Sequence, residues 1–245
     1  MLRLTLQWTL CLLLFPLLIW QGIRTRANTP RLPVAPGPRS GPGDSNADLH
    51  LLMLGDSVAV GVGLPDTAAT VAARTADHLT RLSRQSVSWQ IEGENGDRLA
   101  DLQERVQWLR PRKTDAVVIS IGVNDVSHLT SVLKWQLGLT QLMSTLRDRT
   151  RAPVFFIGIP PMHRFTALPQ PLRYVLGVRA RMLDHALRQA ARLIPWVTWI
   201  DISADFHEDH LAEDGYHPDS FASDILGQHL ATAIHRYLRA GGVSG

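Results

Sequence analysis

Four short blocks hold the residues whose types and spacing can do chemistry. The first is Gly55-Asp56-Ser57. Its hydroxyl is a weak nucleophile and needs a base to take its proton. The last is Asp214-Gly215-Tyr216-His217-Pro218. One ring nitrogen of His217 can serve as that base. Asp214, three residues earlier, can curl back to hold the other nitrogen and stabilise the imidazolium. Between them stand Glu94-Asn95-Gly96-Asp97 and Gly122-Val123-Asn124-Asp125. The tetrahedral intermediate of acyl transfer carries an oxyanion, which needs donors fixed in advance. The candidates are the backbone N–H of Ser57, the backbone N–H of Gly96 and the side-chain amide of Asn124. Each block alone also has a bland reading as a helix cap or a turn. Four of them, each just after a strand-like run, point to one shared site.

Positioning these blocks falls to alternating strand and helix patterns. Leu49–Leu54, apolar except for His50, is a run of strand length, as are Val87–Ile91, Ala116–Ile121, Val154–Ile159 and Val197–Ile202. Helical spacing runs over 68–83, 99–109, 130–151, 172–193 and 221–238, with Pro111 and Pro153 just beyond two of the ends. Five apolar strands separated by helices predict an α/β fold whose parallel sheet is covered on both faces. A strand that ends in Gly-Asp-Ser sets the hydroxyl at the carboxyl edge, where open α/β sheets bind ligands.

On these four blocks the sequence resembles the SGNH or GDSL hydrolases. The likeness covers roughly Leu49 to Leu238, with Val58 where that family usually has Leu. Gly96 matches the second block, Gly122-x-Asn124-Asp125 the third and Asp214-x-x-His217-Pro218 the last. The resemblance implies a three-layer α/β/α, flavodoxin-like fold with a five-stranded parallel sheet. It implies esterase, lipase, thioesterase or carbohydrate deacetylase chemistry. Ser57 would be the nucleophile, Asp214 and His217 the rest of the triad, and Gly96 and Asn124 oxyanion donors. Gly93 lies close enough to compete with Gly96. A G-x-S-x-G elbow is missing, which argues against an ordinary α/β-hydrolase.

Composition narrows the field. A chain of 245 residues with 45% hydrophobic and 19% charged residues suits one domain with a real core. The net charge of +3, from 25 basic and 22 acidic residues, is too balanced to argue for a nucleic-acid partner. The single Cys11 excludes an intramolecular disulfide and a Cys nucleophile in the globular part. His207-Glu208-Asp209-His210 has ligand types that suit zinc, but no separated third ligand accompanies it. A solvated loop is the expectation there, and neither a metal nor a cofactor is expected.

The apolar run Leu4–Ile23 is long enough to span a bilayer. Residues 1–27 thus read as a signal or anchor segment, 28–47 as a flexible Pro/Gly/Ser-rich linker and 48–245 as the SGNH-like domain. Arg24, Arg26, Arg31 and Arg39 would hold their flank in the cytoplasm, whereas the short basic start suits export. The balance favours a membrane-anchored or exported protein on the extracytoplasmic side. In the proline-rich stretch Ile159–Pro171, Met162, Phe165 and Leu168 are expected to form an apolar wall for the substrate. With only small side chains around Gly55–Leu64, the site should be shallow and prefer short acyl groups. The leading reading is a serine ester hydrolase acting on a small ester, a lipid or an acylated sugar. Acyl transfer, or lysophospholipase or thioesterase action, would use the same residues. A non-catalytic binding module and a metal-dependent hydrolase at His207 and His210 are the competing classes. Nothing in the sequence fixes an oligomeric state.

Overall fold

In the computed structural model, which describes residues 2–41, 47–109 and 113–241 with side chains from residue 14 onward, the five apolar runs become five strands. These are β1 (Leu49–Gly55), β2 (Val87–Gly93), β3 (Ala116–Ser120), β4 (Val154–Ile157) and β5 (Val197–Ile200). All pair in parallel, in the order β2-β1-β3-β4-β5. That is the flavodoxin-like doubly wound order, and its switch point lies between β1 and β3. The expected fold class is therefore the observed one. Pro111 and residues 42–46 of the linker lie outside the described residues.

Seven helices accompany the sheet: α1 (Leu2–Asn28), α2 (Val71–Ser83), α3 (Leu99–Gln107), α4 (Val123–Ser127), α5 (Val132–Arg149), α6 (Leu172–Leu193) and α7 (Ser220–Gly241). Alternation along β1 divides the core. Leu51 and Met53 face one layer, with Leu79 of α2 and Leu230 and Ile234 of α7. Leu52 and Leu54 face the other, with Leu102 of α3, Trp135 and Leu142 of α5 and Leu183 of α6. Both faces are thus apolar and covered, which is why the strands read as continuous hydrophobic runs.

Two strands end earlier than their patterns. The run Val154–Ile159 leaves the sheet after Ile157, because the Ile159 N–H is taken by Asp184 Oδ1 at 2.8 Å. β5 stops at Ile200 and gives way to a loop that reaches Leu211.

The N-terminal segments meet the domain at both α1 and residues 33–41. Leu4–Ile23 falls inside α1, and among the described residues no helix is long and apolar enough to cross a membrane. The expected bilayer span over residues 4–23 lies partly outside the described residues, since side chains are described only from residue 14 onward. The end of α1 touches the domain, where Gln21 Nε2 donates to Gln170 O at 2.7 Å and Gln21 Oε1 accepts from Leu172 N at 3.1 Å. The stretch read as a linker also lies against the domain. Residues 33–41 exchange backbone hydrogen bonds with the loop after β1 and with β2.

Candidate active site

The first block sits where β1 ends at the switch point. Gly55 has φ +149°, and a Cβ there would lie 2.0 Å from Ser120 O on β3. Only glycine fits that approach. The chain then turns through Asp56-Ser57 into a short loop, in which Val60 N donates to Asp56 O and Val62 N to Ser57 O. Ser57 is largely buried but lines a cavity of about 230 Å³.

The last block folds back as its spacing predicts. Asp214 Oδ2 lies 2.5 Å from His217 Nδ1, and Asp214 Oδ1 accepts from the backbone N–H groups of Tyr216 and His217 at 2.9 and 3.1 Å. Burial works to raise the Asp214 pKa. The hydrogen bond and charge of His217, with the two backbone donors, outweigh it and hold the carboxyl below its ordinary value. Asp214 is thus an ionised acceptor that orients one face of the imidazole. A backbone bridge between Leu211 and Pro218 closes this turn and aims His217 into the cavity that Ser57 lines.

The two middle blocks meet across the cavity. Asn124 lies on α4 and lines the cavity, with Nδ2 donating one proton to Asp97 O at 3.0 Å. An amide NH₂ has a second proton to offer. Asp125 points the other way, accepting from Leu99 N and Thr130 Oγ1, both at 2.9 Å. It thereby ties α4 to the start of α3. Gly96, with φ +93°, caps the tight turn in which Asp97 N donates to Glu94 O. Its neighbour Asn95 lines the cavity. Gly93, the competing glycine, is the last residue of β2, paired with Gly55.

The cavity contains more than the blocks. Asp56 is 2% exposed and lines it, and its Oδ1 accepts from Val58 N at 3.2 Å. Burial pushes its carboxyl up to about 7, against the pull of the Val58 N–H and His217. Sequence reasoning gave Asp56 no role, although its place in the first block was visible. The apolar lining also departs from expectation. Met162, Phe165 and Leu168 are all core residues, 0%, 1% and 2% exposed, and of the three only Phe165 also borders the cavity. The turn that carries Met162 sits down on α6, where a Cβ on Gly177 would fall 2.5 Å from His163 Cβ. The wall is built instead by Ile157, Ile202 and Phe206 from the β4–β5 side and by Ile225 and Leu226 of α7. Phe206 stacks on Phe165 with ring centroids 5.8 Å apart. His207 and His210 stand at this cavity too, and no group of three or more metal-ligating side chains is assembled among the described residues.

A flavodoxin-like sheet with a hydroxyl, an imidazole–carboxylate pair and amide donors around one apolar cavity at its switch point defines an ester-hydrolase-type α/β protein. The comparisons agree: the model of the GDSL-like Lipase/Acylhydrolase family matches residues 53–235, and the chain belongs to that family. It is 28% identical over 206 residues to the GDSL-like esterase Rv1075c of Mycobacterium tuberculosis (strain ATCC 25618 / H37Rv). That match covers 76% of this chain and 63% of the relative, so the chain spans just under two thirds of that protein's length. Among solved structures, the lipase Lip_vut3 from a goat rumen metagenome superposes with a TM-score of 0.60 at 19% identity, over 76% of this chain and 97% of that one. Axe2, an acetylxylan esterase from Geobacillus stearothermophilus, gives 0.55 at 17% identity, over 77% and 94%. At those identities the structures share the fold.

Proposed function

We propose that the chain is a serine ester hydrolase that works through an acyl-enzyme. The observation that carries this reading is His217, which lines the same cavity as Ser57 and is held from behind by Asp214 at 2.5 Å. In this reading His217 takes the Ser57 proton as the hydroxyl attacks the ester carbonyl, and Asp214 stabilises the imidazolium that forms. Amide donors from Ser57, Asn124 and the Gly96 turn receive the oxyanion. The alkoxide leaves with the proton from His217, and water then repeats the sequence on the acyl-Ser57 ester. The esterase and lipase names of the relatives support an ester as the substrate.

The cavity supports a small acyl group. About 230 Å³ holds roughly seven or eight groups the size of water at ~30 Å³ each. That is room for a short to medium acyl chain beside the carbonyl, against an apolar wall, and too little for a long-chain fatty acid held inside. Ser57→Ala is expected to abolish turnover of a soluble activated ester while the far-ultraviolet spectrum and thermal melt stay those of the wild type. Wild-type turnover in folded Ser57→Ala protein would refute the triad.

A further inference from the structure

We propose that residues 33–41 are a clamp that positions the nucleophile loop and the oxyanion turn for catalysis. This rests on the hydrolase reading above. The clamp binds both loops at once. Toward the loop after Ser57, Ala35 N donates to Gly61 O at 3.0 Å and Gly63 N donates to Pro33 O at 2.9 Å. Toward β2, Ile91 N donates to Arg39 O at 2.8 Å and Gly41 N to Trp89 O at 3.0 Å. The Arg39 guanidinium donates through Nη1 to Gly93 O at 3.0 Å, the last carbonyl before the Glu94–Asp97 turn.

The nucleophile loop needs such a hold. Gly61 and Gly63 have φ +69° and +83°, so the loop has two residues with the widest backbone freedom. Among its internal bonds are Val62 N to Ser57 O and Gly61 N to Val58 O, beside Val60 N to Asp56 O and Leu64 N to Gly61 O, and the first two link Gly61 and its neighbour to the Ser57 end of the loop. On its outer side Gly61 O and Gly63 N are satisfied by the clamp. Ala35 is buried, and Leu32 packs where a Cβ on Gly63 would meet it at 2.8 Å. The composition of the segment suits the task. Pro33, Pro36 and Pro38 preset an extended backbone, so little conformational entropy is lost when it docks. Proline has no N–H, so the carbonyls of Pro33 and Pro36 act as acceptors without a donor at the same residue to satisfy. Pro36 O takes the Thr67 N–H at 3.1 Å.

A cover for the exposed edge of β2 would use some of the same bonds. The two roles separate in the full-length chain. Arg39→Ala removes the hold on Gly93, and Ala35→Pro removes the donor to Gly61. Each is expected to lower kcat by about tenfold to a hundredfold, the scale set by sub-ångström to ångström misplacement of reacting groups. KM for a soluble ester should change less than about twofold, because uniform binding is untouched. Arg39→Lys should restore most of kcat. Amide hydrogen exchange on the same proteins should show faster exchange at Val62 and Gly63 in Ala35→Pro and in the Glu94–Asp97 turn in Arg39→Ala. Unchanged kcat in variants that exchange faster would reduce the segment to an edge cover and overturn the proposal, as would unchanged exchange. A wild type that hydrolyses no ester would overturn the hydrolase reading and the catalytic role of the clamp with it, whereas an active wild type beside faster-exchanging variants of unchanged kcat would overturn the clamp alone.

Discussion

Asp56→Asn gives a quantitative check on the buried first block. The Asp56 carboxyl is 2% exposed, and burial lifts its pKa from 3.8 to about 7, with the Asp125 charge adding a smaller push in the same direction. The folded-state pKa therefore lies above the unfolded one. Below pH 3.8 the group is protonated in both states and costs nothing. Between about 4 and 7 the unfolded chain gives up its proton while the folded protein keeps it, so stability falls as pH rises. Each unit is worth 1.36 kcal/mol, and the folded group is half ionised by pH 7, so between pH 5 and pH 7 this one carboxyl should remove about 2 kcal/mol. Asparagine keeps the oxygen that accepts from Val58 N and carries no charge. The measurement is urea unfolding of wild type and Asp56→Asn at pH 5, 6, 7 and 8. Titrating groups that do not interact with Asp56 are common to both proteins and cancel in the difference. The Asn variant should gain on the wild type by about 2 kcal/mol across pH 5 to 7 and by little more from 7 to 8. A difference that does not change with pH would refute the buried, proton-holding carboxyl. A difference that moves the other way would place Asp56 as an ionised partner of His217 throughout.

Two further outcomes follow from the site. Asn124→Ala should lower kcat by about 10² to 10³, the usual loss for one oxyanion donor; a change confined to KM would make Asn124 an ordinary substrate contact. In a panel of soluble esters from acetyl to decanoyl, kcat/KM should rise to an optimum at short to medium chains, at about 0.8 kcal/mol per buried methylene, and then fall once the cavity is filled. A rise that continues to decanoyl would contradict the volume argument, and Phe206→Ala should flatten the rising part because Phe206 lines the wall.

The candidate site was largely legible as blocks because its key relations are local. Asp214 reaches His217 within one turn of chain, and Gly55 must be glycine wherever a strand turns against its neighbour's carbonyl. The parallel sheet was legible for a related reason: strands buried on both faces write long apolar runs into the sequence. Local rules do not say what a side chain faces at a distance. Met162, Phe165 and Leu168 share one proline-rich stretch, yet only Phe165 borders the cavity, because α6 takes the other end of the turn into the core. No local pattern marks Ile202, Phe206, Ile225 and Leu226 as lining, because they meet only where β5's loop and α7 come together. Residues 33–41 looked like solvated linker by composition, and their partners lie at 61–67 and 89–93. Residue order alone thus determined the strands, the sharp turns and the imidazole–carboxylate pair, since each depends on neighbours a few residues away. Tertiary structure decided which apolar side chains line the cavity, where the proline segment docks and why burial pushes the Asp56 carboxyl up, because burial and docking depend on elements distant in the chain.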